Sequence, residues 1–235
     1  MGREPRPRRE TVMELNEVMR TTFAARRFTG EPLSDGVLHE ILEHARFAPS
    51  GGNRQGNRVI VVRDPDTRTA LAKLAQPAAK RYAAQKAAGE NPWNSIMPSA
   101  LPASVFEQTP PPPLRTHPFR TADVVLVFVV DLKVVASTDQ YLDRVGVISG
   151  ASIYPFVWNV LLGARQAGFG GTITTIAVAR EPEVQALLGI PEEYAVAALV
   201  PLGRPVEQLT KLRRRRVEEI ATRERFDGEP FDVED

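Results

Sequence analysis

The sequence predicts one layered domain that mixes helices with a sheet, and three observations carry that prediction. Residues 124–130 are an unbroken apolar run of strand length, and 194–202 nearly so, which implies strands buried on both faces. A third β-branched run, 59–62, is separated from these by long stretches with helical character, and strands spaced so widely favour an α/β or α+β layer structure over a sandwich or barrel. No internal repeat is present, which removes solenoids. With 235 residues, 43% hydrophobic and 25% charged, the chain suits one domain and is not disordered throughout.

The elements follow in order. Residues 1–12 carry mixed charge and little apolar content and read as a loosely attached tail, with the domain proper over 13–204. Ser34 offers a helix cap, and Val37, Leu38, Ile41, Leu42 and Ala45 recur at helical spacing, predicting a helix over 35–47. Residues 59–62 read as a buried strand closed by an Asp64-Pro65 turn. Residues 66–88 are rich in helix formers, but Pro77 should divide them into two pieces. The stretch 89–118, with Pro92, Pro102 and Pro110 to Pro113, keeps no periodicity and reads as a lid or exchanged excursion. A central strand is expected over 123–131 and an apolar, centrally placed helix over 146–168, bent at Pro155. Then come a strand over 172–177, a short helix over 181–188 and a buried strand over 194–202. Residues 205–235 read as a C-terminal arm over a partner subunit.

Composition excludes several kinds of chemistry. The absence of cysteine removes disulfides, thiolate metal sites, iron–sulfur ligation and a cysteine nucleophile, so any redox chemistry must use a cofactor. The three histidines form no metal-ligand spacing, and no metal site is expected. A net charge of +1 provides no global field for nucleic acid or an anionic membrane. The longest apolar run has seven residues, too short to cross a bilayer, and the N-terminus does not resemble a secretory signal; a cytoplasmic location is the default expectation.

Three separated stretches carry a resemblance. They are Thr22-Phe23-Ala24-Ala25-Arg26-Arg27-Phe28; Ala48-Pro49-Ser50-Gly51-Gly52-Asn53-Arg54-Gln55; and Gly150-Ala151-Ser152-Ile153-Tyr154-Pro155 with Gly168-Phe169-Gly170-Gly171-Thr172. Together, from about Thr21 to Phe226, they resemble the FMN-dependent nitroreductase family. The resemblance implies an α+β, three-layer fold with a mixed, mainly antiparallel central sheet flanked by helices, in a swapped-arm homodimer that holds the flavin between subunits.

The residues themselves are compatible with that chemistry. A flavin needs a flat slot, amide-type hydrogen bonds to its pyrimidine edge and donors for its phosphate. Gly51 and Gly52 let backbone approach a planar ligand, and Asn53 and Gln55 each offer a donor and an acceptor, although such a loop also occurs as an ordinary helix-to-strand turn. By resemblance Pro49 and Ser50 belong to the same contact. Arg26 matches a basic position beside the isoalloxazine, with Arg27 next to it. Thr22, Phe23 and Ala24 match the family's Arg-x-Ser group, and because Phe23 and Ala24 have no side-chain donor, Arg20, Thr22 or backbone N–H groups are left to help with the phosphate. Gly170, Gly171 and Thr172 match the backbone near flavin N5. Within Lys211 to Arg216 two arginines, represented here by Arg213 and Arg215, are expected to bind phosphate; a solvated cluster or a nucleic-acid patch are the other readings of that run.

The implied function is an NAD(P)H oxidoreductase in which hydride passes from NADH or NADPH to FMN and then to a small aromatic acceptor, a nitroaromatic or a quinone, with no side chain acting as catalyst. A reductive dehalogenase of the iodotyrosine deiodinase type, a flavin-fragmenting enzyme that forms a benzimidazole, and a flavin-binding protein without turnover remain alternatives.

Overall fold

Strand β2 (Val124–Asp131) is the axis of the molecule, and its seven residues from Val124 to Val130 are all buried. In the computed structural model, which describes residues 13–233, β2 lies between β1 (Asn57–Val62) and β4 (Tyr194–Gly203), with a two-residue β3 (Gly170–Gly171) beyond β4. All three strand pairings are antiparallel, and one parallel bridge, Ala24 to Gly171, makes the sheet mixed but mainly antiparallel. The tail expected over 1–12 lies outside the described residues.

Side-chain alternation along β2 produces the three layers. Val124, Leu126 and Phe128 face one core with Leu38, Ile41 and Ala45 of α2 (Asp35–Ala45) and Val157, Val160, Leu161 and Ala164 of α6 (Tyr154–Gln166). Val125, Val127 and Val129 face the other, packed by Leu71, Ala72 and Ala75 of α3 (Pro65–Ala87), Phe119 of α5 (Pro113–Thr121) and Val184 of α7 (Glu181–Leu188). Helix α1 (Leu15–Thr21) leads into the first layer, where Arg165 donates from Nε to the Thr21 hydroxyl at 2.9 Å.

Several expectations need correction. The helix after Ser34 ends at Ala45, two residues early, while Ser34 caps it as expected by accepting from the Val37 N–H. Asp64-Pro65 does not close a turn; it starts α3, with Asp64 accepting from Thr67 N at 2.7 Å and Pro65 in the first turn, where its missing N–H is harmless. Pro77 does not divide α3, which runs unbroken for 23 residues. Pro77 is exposed, while Leu71, Ala72, Ala75, Ala78 and Ala79 are buried around it, so tertiary packing outweighs the roughly 3 kcal/mol that an internal proline costs. Likewise Pro155 begins α6 rather than bending it, and residues 148–152 form a separate 3₁₀ turn. Strand β1 is an edge strand and is only partly buried: Val59 packs against the first core and Ile60 and Val62 against the second, while Val61 is 43% exposed. The strand expected over 172–177 reduces to β3 and a single Thr174–Leu199 bridge, followed by a 3₁₀ helix (Ile176–Arg180). The excursion after residue 88 contains α4 (Ala103–Gln108) as well as α5, and it folds back against α3, with Arg115 of α5 over the Tyr82 ring and Lys80 donating to Glu107 O.

Candidate functional site

The candidate residues fall into two clusters at opposite ends of the sheet. The first gathers around β3. Ala25 N donates to Gly171 O at 3.0 Å, so the segment carrying Arg26 and Arg27 lies along that strand. The chain leaving β4 then joins it. Pro205 bridges Phe28, Val206 N donates to Arg27 O, Glu207 pairs with Arg27 at 3.9 Å, and the Gln208 amide donates to Thr21 O at 2.9 Å. Arg213 follows Gln208 by five residues, within about 17 Å of extended chain, and Arg213 and Arg215 are exposed without an ion pair among the described residues.

Thr22 has little to offer a phosphate. It is buried, and its hydroxyl proton is committed to Val18 O at 2.7 Å. Arg26 is better placed. Its only hydrogen bond among the described residues is a 3.3 Å contact to Ala24 O, and it lines a small pit with Arg115, Thr172 and Thr174. Burial, followed by the charge of Arg115, lowers its pKa from the ordinary arginine value.

The glycine pair has a packing cause. A Cβ on Gly171 would lie 2.6 Å from Pro201 O and 3.0 Å from a Val200 methyl, so any side chain there would push β3 off β4. At Gly170 the nearest atom would be Pro205 Cγ at 3.1 Å. The walls of the neighbouring cleft come instead from the next residues. Ile173, Thr174, Thr175 and Ile176 line a cleft of about 510 Å³ with Tyr82 and Trp93 opposite and Arg115 at the side it shares with the Arg26 pit. Sequence reading missed Tyr82, Arg115, Thr174 and Thr175. The one available signal was Trp93, a large aromatic residue in a proline-rich stretch without periodicity.

The second cluster precedes β1. Ser50 holds the loop by accepting from Gln55 N at 3.0 Å, and Gly51 N donates to the Ser152 hydroxyl at 3.0 Å. Asn57 donates from its side chain to Ser152 O at 2.8 Å, leaving its own Oδ1 buried without a partner. Three positions here have left-handed backbone: Gly52 (φ 61°), Asn53 (φ 54°) and Gln55 (φ 50°). Glycine adopts this freely and Asn tolerates it, but Gln stores strain, and such strain concentrates at ligand sites. Pro49, Gly51, Gly52, Asn53 and Gln55 are all exposed.

Two rulers measure the separation of the clusters. Asn57 pairs with Val130, and Gly171 pairs with Leu202, which pairs with Val124; from Val124 to Val130 the strand advances roughly 20 Å. Helix α6 begins beside Ser152 at the second cluster, and its Arg165 reaches Thr21 at the first, a rise of about 17 Å. Within one chain only an extended ligand could span from one cluster to the other. Between them α6 exposes Tyr154 (42%) and Trp158 (39%), one helical turn apart.

Among the described residues no group of histidines and carboxylates could hold a metal, and no helix is long and apolar enough to cross a membrane.

Comparison with known proteins agrees with this architecture. An NADH dehydrogenase from Thermus thermophilus is 30% identical over 186 residues, covering 78% of this chain and 82% of that protein. Among solved structures, a BluB-like flavoprotein from Clostridium difficile 630 superposes with a TM-score of 0.66 at 20% identity, covering 89% of this chain and 98% of the other. An oxidised iodotyrosine deiodinase bound to FMN and 3-iodo-L-tyrosine gives 0.63 at 20% identity, covering 87% and 96%. The family described as "Nitroreductase family" matches residues 19–204, which include the whole sheet, the second cluster and the first as far as β4, and the chain belongs to the nitroreductase family.

Proposed function

We infer that this protein is a cytoplasmic, homodimeric flavin-dependent oxidoreductase that uses FMN, draws electrons from NADH or NADPH and reduces small nitroaromatic or quinone-like acceptors. The observation that carries the reading is the division of the candidate residues into two clusters about 20 Å apart, at the two ends of a helix with an exposed aromatic face. In a two-fold symmetric pair the same patch meets itself, so two α6 helices packed antiparallel through Tyr154 and Trp158 would set the Ser152 end of one beside the Thr21 end of the other. Each composite site would then combine the Asn53 loop of one chain with the Arg26 cluster of its partner.

The donor set suits FMN. The Asn53 and Gln55 side chains and the exposed glycine backbone can pair with the polar edge of a flat ring. Arg26, half-buried and without a carboxylate partner among the described residues, would favour negative charge on that ring. Arg213 and Arg215 are free to meet phosphate oxygens. FMN, when bound, supplies reversible two-electron transfer with nicotinamides and aromatic acceptors. The chain's own work is binding, orientation and exclusion of water. Ile173 and Ile176 on one wall of the cleft and Tyr82 and Trp93 on the other offer a planar acceptor apolar surfaces to stack between.

Reductive dehalogenation of an amino acid is the second reading, favoured by the likeness to the deiodinase. Against it, no Asp or Glu lines the cleft, so the ammonium of an amino-acid zwitterion would lack a partner there. The test is the absorption spectrum of the purified protein, followed by oxidation of NADH and NADPH with nitroaromatic, quinone and iodotyrosine acceptors. Flavin bands together with nitroaromatic or quinone turnover are expected. A colourless protein that takes up no added FMN would overturn the reading, and flavin without turnover of any acceptor would leave a binding protein.

A further inference from the structure

Arg115 lines the cleft and, with Arg26, the pit that adjoins it, and no Asp or Glu lines either. Arg115 lies with its guanidinium 4.0 Å from the centroid of the Tyr82 ring and makes no hydrogen bond or ion pair through its side chain among the described residues. Arg26 shares the adjoining pit, with only the long contact to Ala24 O. Two like charges brought together in a partly buried place repel, and an anion between them relieves both. A guanidinium lying flat on an aromatic ring keeps the N–H donors along its edge available, which suits a planar carboxylate.

A second observation comes from the opposite wall. Trp93 has a left-handed backbone (φ 58°), which is costly for a residue of its size, and it is held there by Gln85, buried at 2% exposure, whose Oε1 accepts from Trp93 N at 3.2 Å, and by Arg81 over its ring at 4.4 Å. Strain maintained by surrounding contacts is characteristic of ligand clamps. The indole is nonetheless 45% exposed, an aromatic face on the cleft with room for a partner. The rest of the lining is mostly apolar, with Ala78, Ile173 and Ile176 beside the hydroxyls of Thr174 and Thr175.

We propose that this cleft selects acceptors with an aromatic ring and one anionic substituent, a carboxylate or an ionised phenol, with Arg115 as the residue that reads the charge. The proposal rests on the oxidoreductase reading for its catalytic consequence, while the binding site stands on the Arg26–Arg115 pair and the clamped Trp93. An aromatic carboxylate is preferred over a dinucleotide phosphate because the walls are mostly aromatic and aliphatic and Arg115 is the one charged residue that lines them, whereas a pyrophosphate would need donors along its length. In that reading the nicotinamide would leave in its oxidised form, its hydride already given up, before the acceptor enters, so both could use this space in turn.

The test compares 4-nitrobenzoate with its neutral counterpart 4-nitrobenzamide on the flavin-loaded dimer. The wild type should prefer the carboxylate by about tenfold or more in kcat/KM, the usual effect of a charged hydrogen-bonded pair. Arg115→Met should abolish the preference while leaving nitrobenzamide reduction and flavin content within about twofold, and Arg115→Lys should restore part of it. A second readout does not involve turnover: 4-nitrobenzoate should quench the fluorescence of Trp93, isolated by comparison with Trp93→Phe, with a Kd that weakens about tenfold in Arg115→Met. Unchanged discrimination in Arg115→Met would refute the proposal. So would loss of flavin in that variant, which would make Arg115 a cofactor ligand, or a KM raised for NADPH alone, which would make it a reader of the nucleotide phosphate. If the wild type neither carries flavin nor turns over, the oxidoreductase reading fails by itself, and the quenching titration still decides whether the arginine pair binds an aromatic anion.

Discussion

Replacing Gly171 with alanine separates two reasons for a glycine at this position. The added methyl would sit 2.6 Å from Pro201 O, 3.0 Å from Val200 Cγ1 and 3.1 Å from Leu202 Cδ1, all on β4, the strand that pairs with the buried centre of the sheet. Backbone oxygen in a sheet cannot step aside as a flexible side chain can, so β3 must move, and overpacking of this kind costs about 1–3 kcal/mol. For a chain of this size a kcal/mol lowers Tm by about 2–4 °C, so Gly171→Ala should melt about 2–12 °C below wild type. The measurement belongs on flavin-stripped protein, by calorimetry or circular dichroism, because the glycine then has no ligand to accommodate. Gly170→Ala, whose nearest contact is the Pro205 ring at 3.1 Å, is the control and should lose less. Because Ala25 hangs on Gly171 O, displacement of β3 should also weaken flavin binding through Arg26. An apo Gly171→Ala protein as stable as wild type, with only flavin affinity reduced, would refute the packing explanation and assign the glycine to ligand approach.

Three further outcomes follow from the same geometry. Trp158→Glu places a charge on the exposed face of α6; losing a central aromatic anchor costs about 2 kcal/mol or more, so the dimer should weaken at least about 30-fold, seen by size exclusion with light scattering, and an unchanged dimer would remove α6 from the interface. Arg213→Ala with Arg215→Ala should weaken FMN binding more at low than at high ionic strength, and the same loss for riboflavin as for FMN would show that these arginines do not read the phosphate. The Asp139 carboxyl, which accepts from Val147 N at 2.7 Å and pairs with Arg144, is held at about 2, below its unfolded value near 3.8. Its folded pKa is the lower one, so its stabilisation is complete above the unfolded value and fades as pH falls toward about 2. The difference in Tm between wild type and Asp139→Asn should therefore shrink from about pH 4 to pH 2, and a constant difference would contradict this.

What the sequence disclosed was mostly local. Ser34 announced a helix start, the run after Asp123 announced a strand buried on both faces, and Gly168 announced the end of α6, where it takes φ 78° and Phe169 N returns to Ala164 O at 2.8 Å. Each depends on residues within a few positions. The misreadings came where distant contacts decide. Pro77 and Pro155 have the same ring, yet one is tolerated inside a helix by the packing around it and the other starts a helix, and neither outcome follows from the neighbouring letters. Tyr82, Trp93, Arg115 and Thr174 come from three separate parts of the chain, and no spacing rule joins them; the fold of the excursion against α3 does. The loop around Asn53 could be read as a ligand loop, but its distance from Arg26 became visible only once β2 and α6 were available to measure it.

The most direct test of a site shared between chains is to mix two disabled variants. Arg26→Glu removes one cluster and Asn53→Ala with Gln55→Ala the other, and each homodimer alone should bind little FMN. After co-denaturation and refolding of equal amounts, half of the dimers are mixed, and each mixed dimer has one site built from two intact clusters, so about a quarter of wild-type FMN binding should return. No recovery in a mixture that demonstrably contains the mixed dimer would contradict the account.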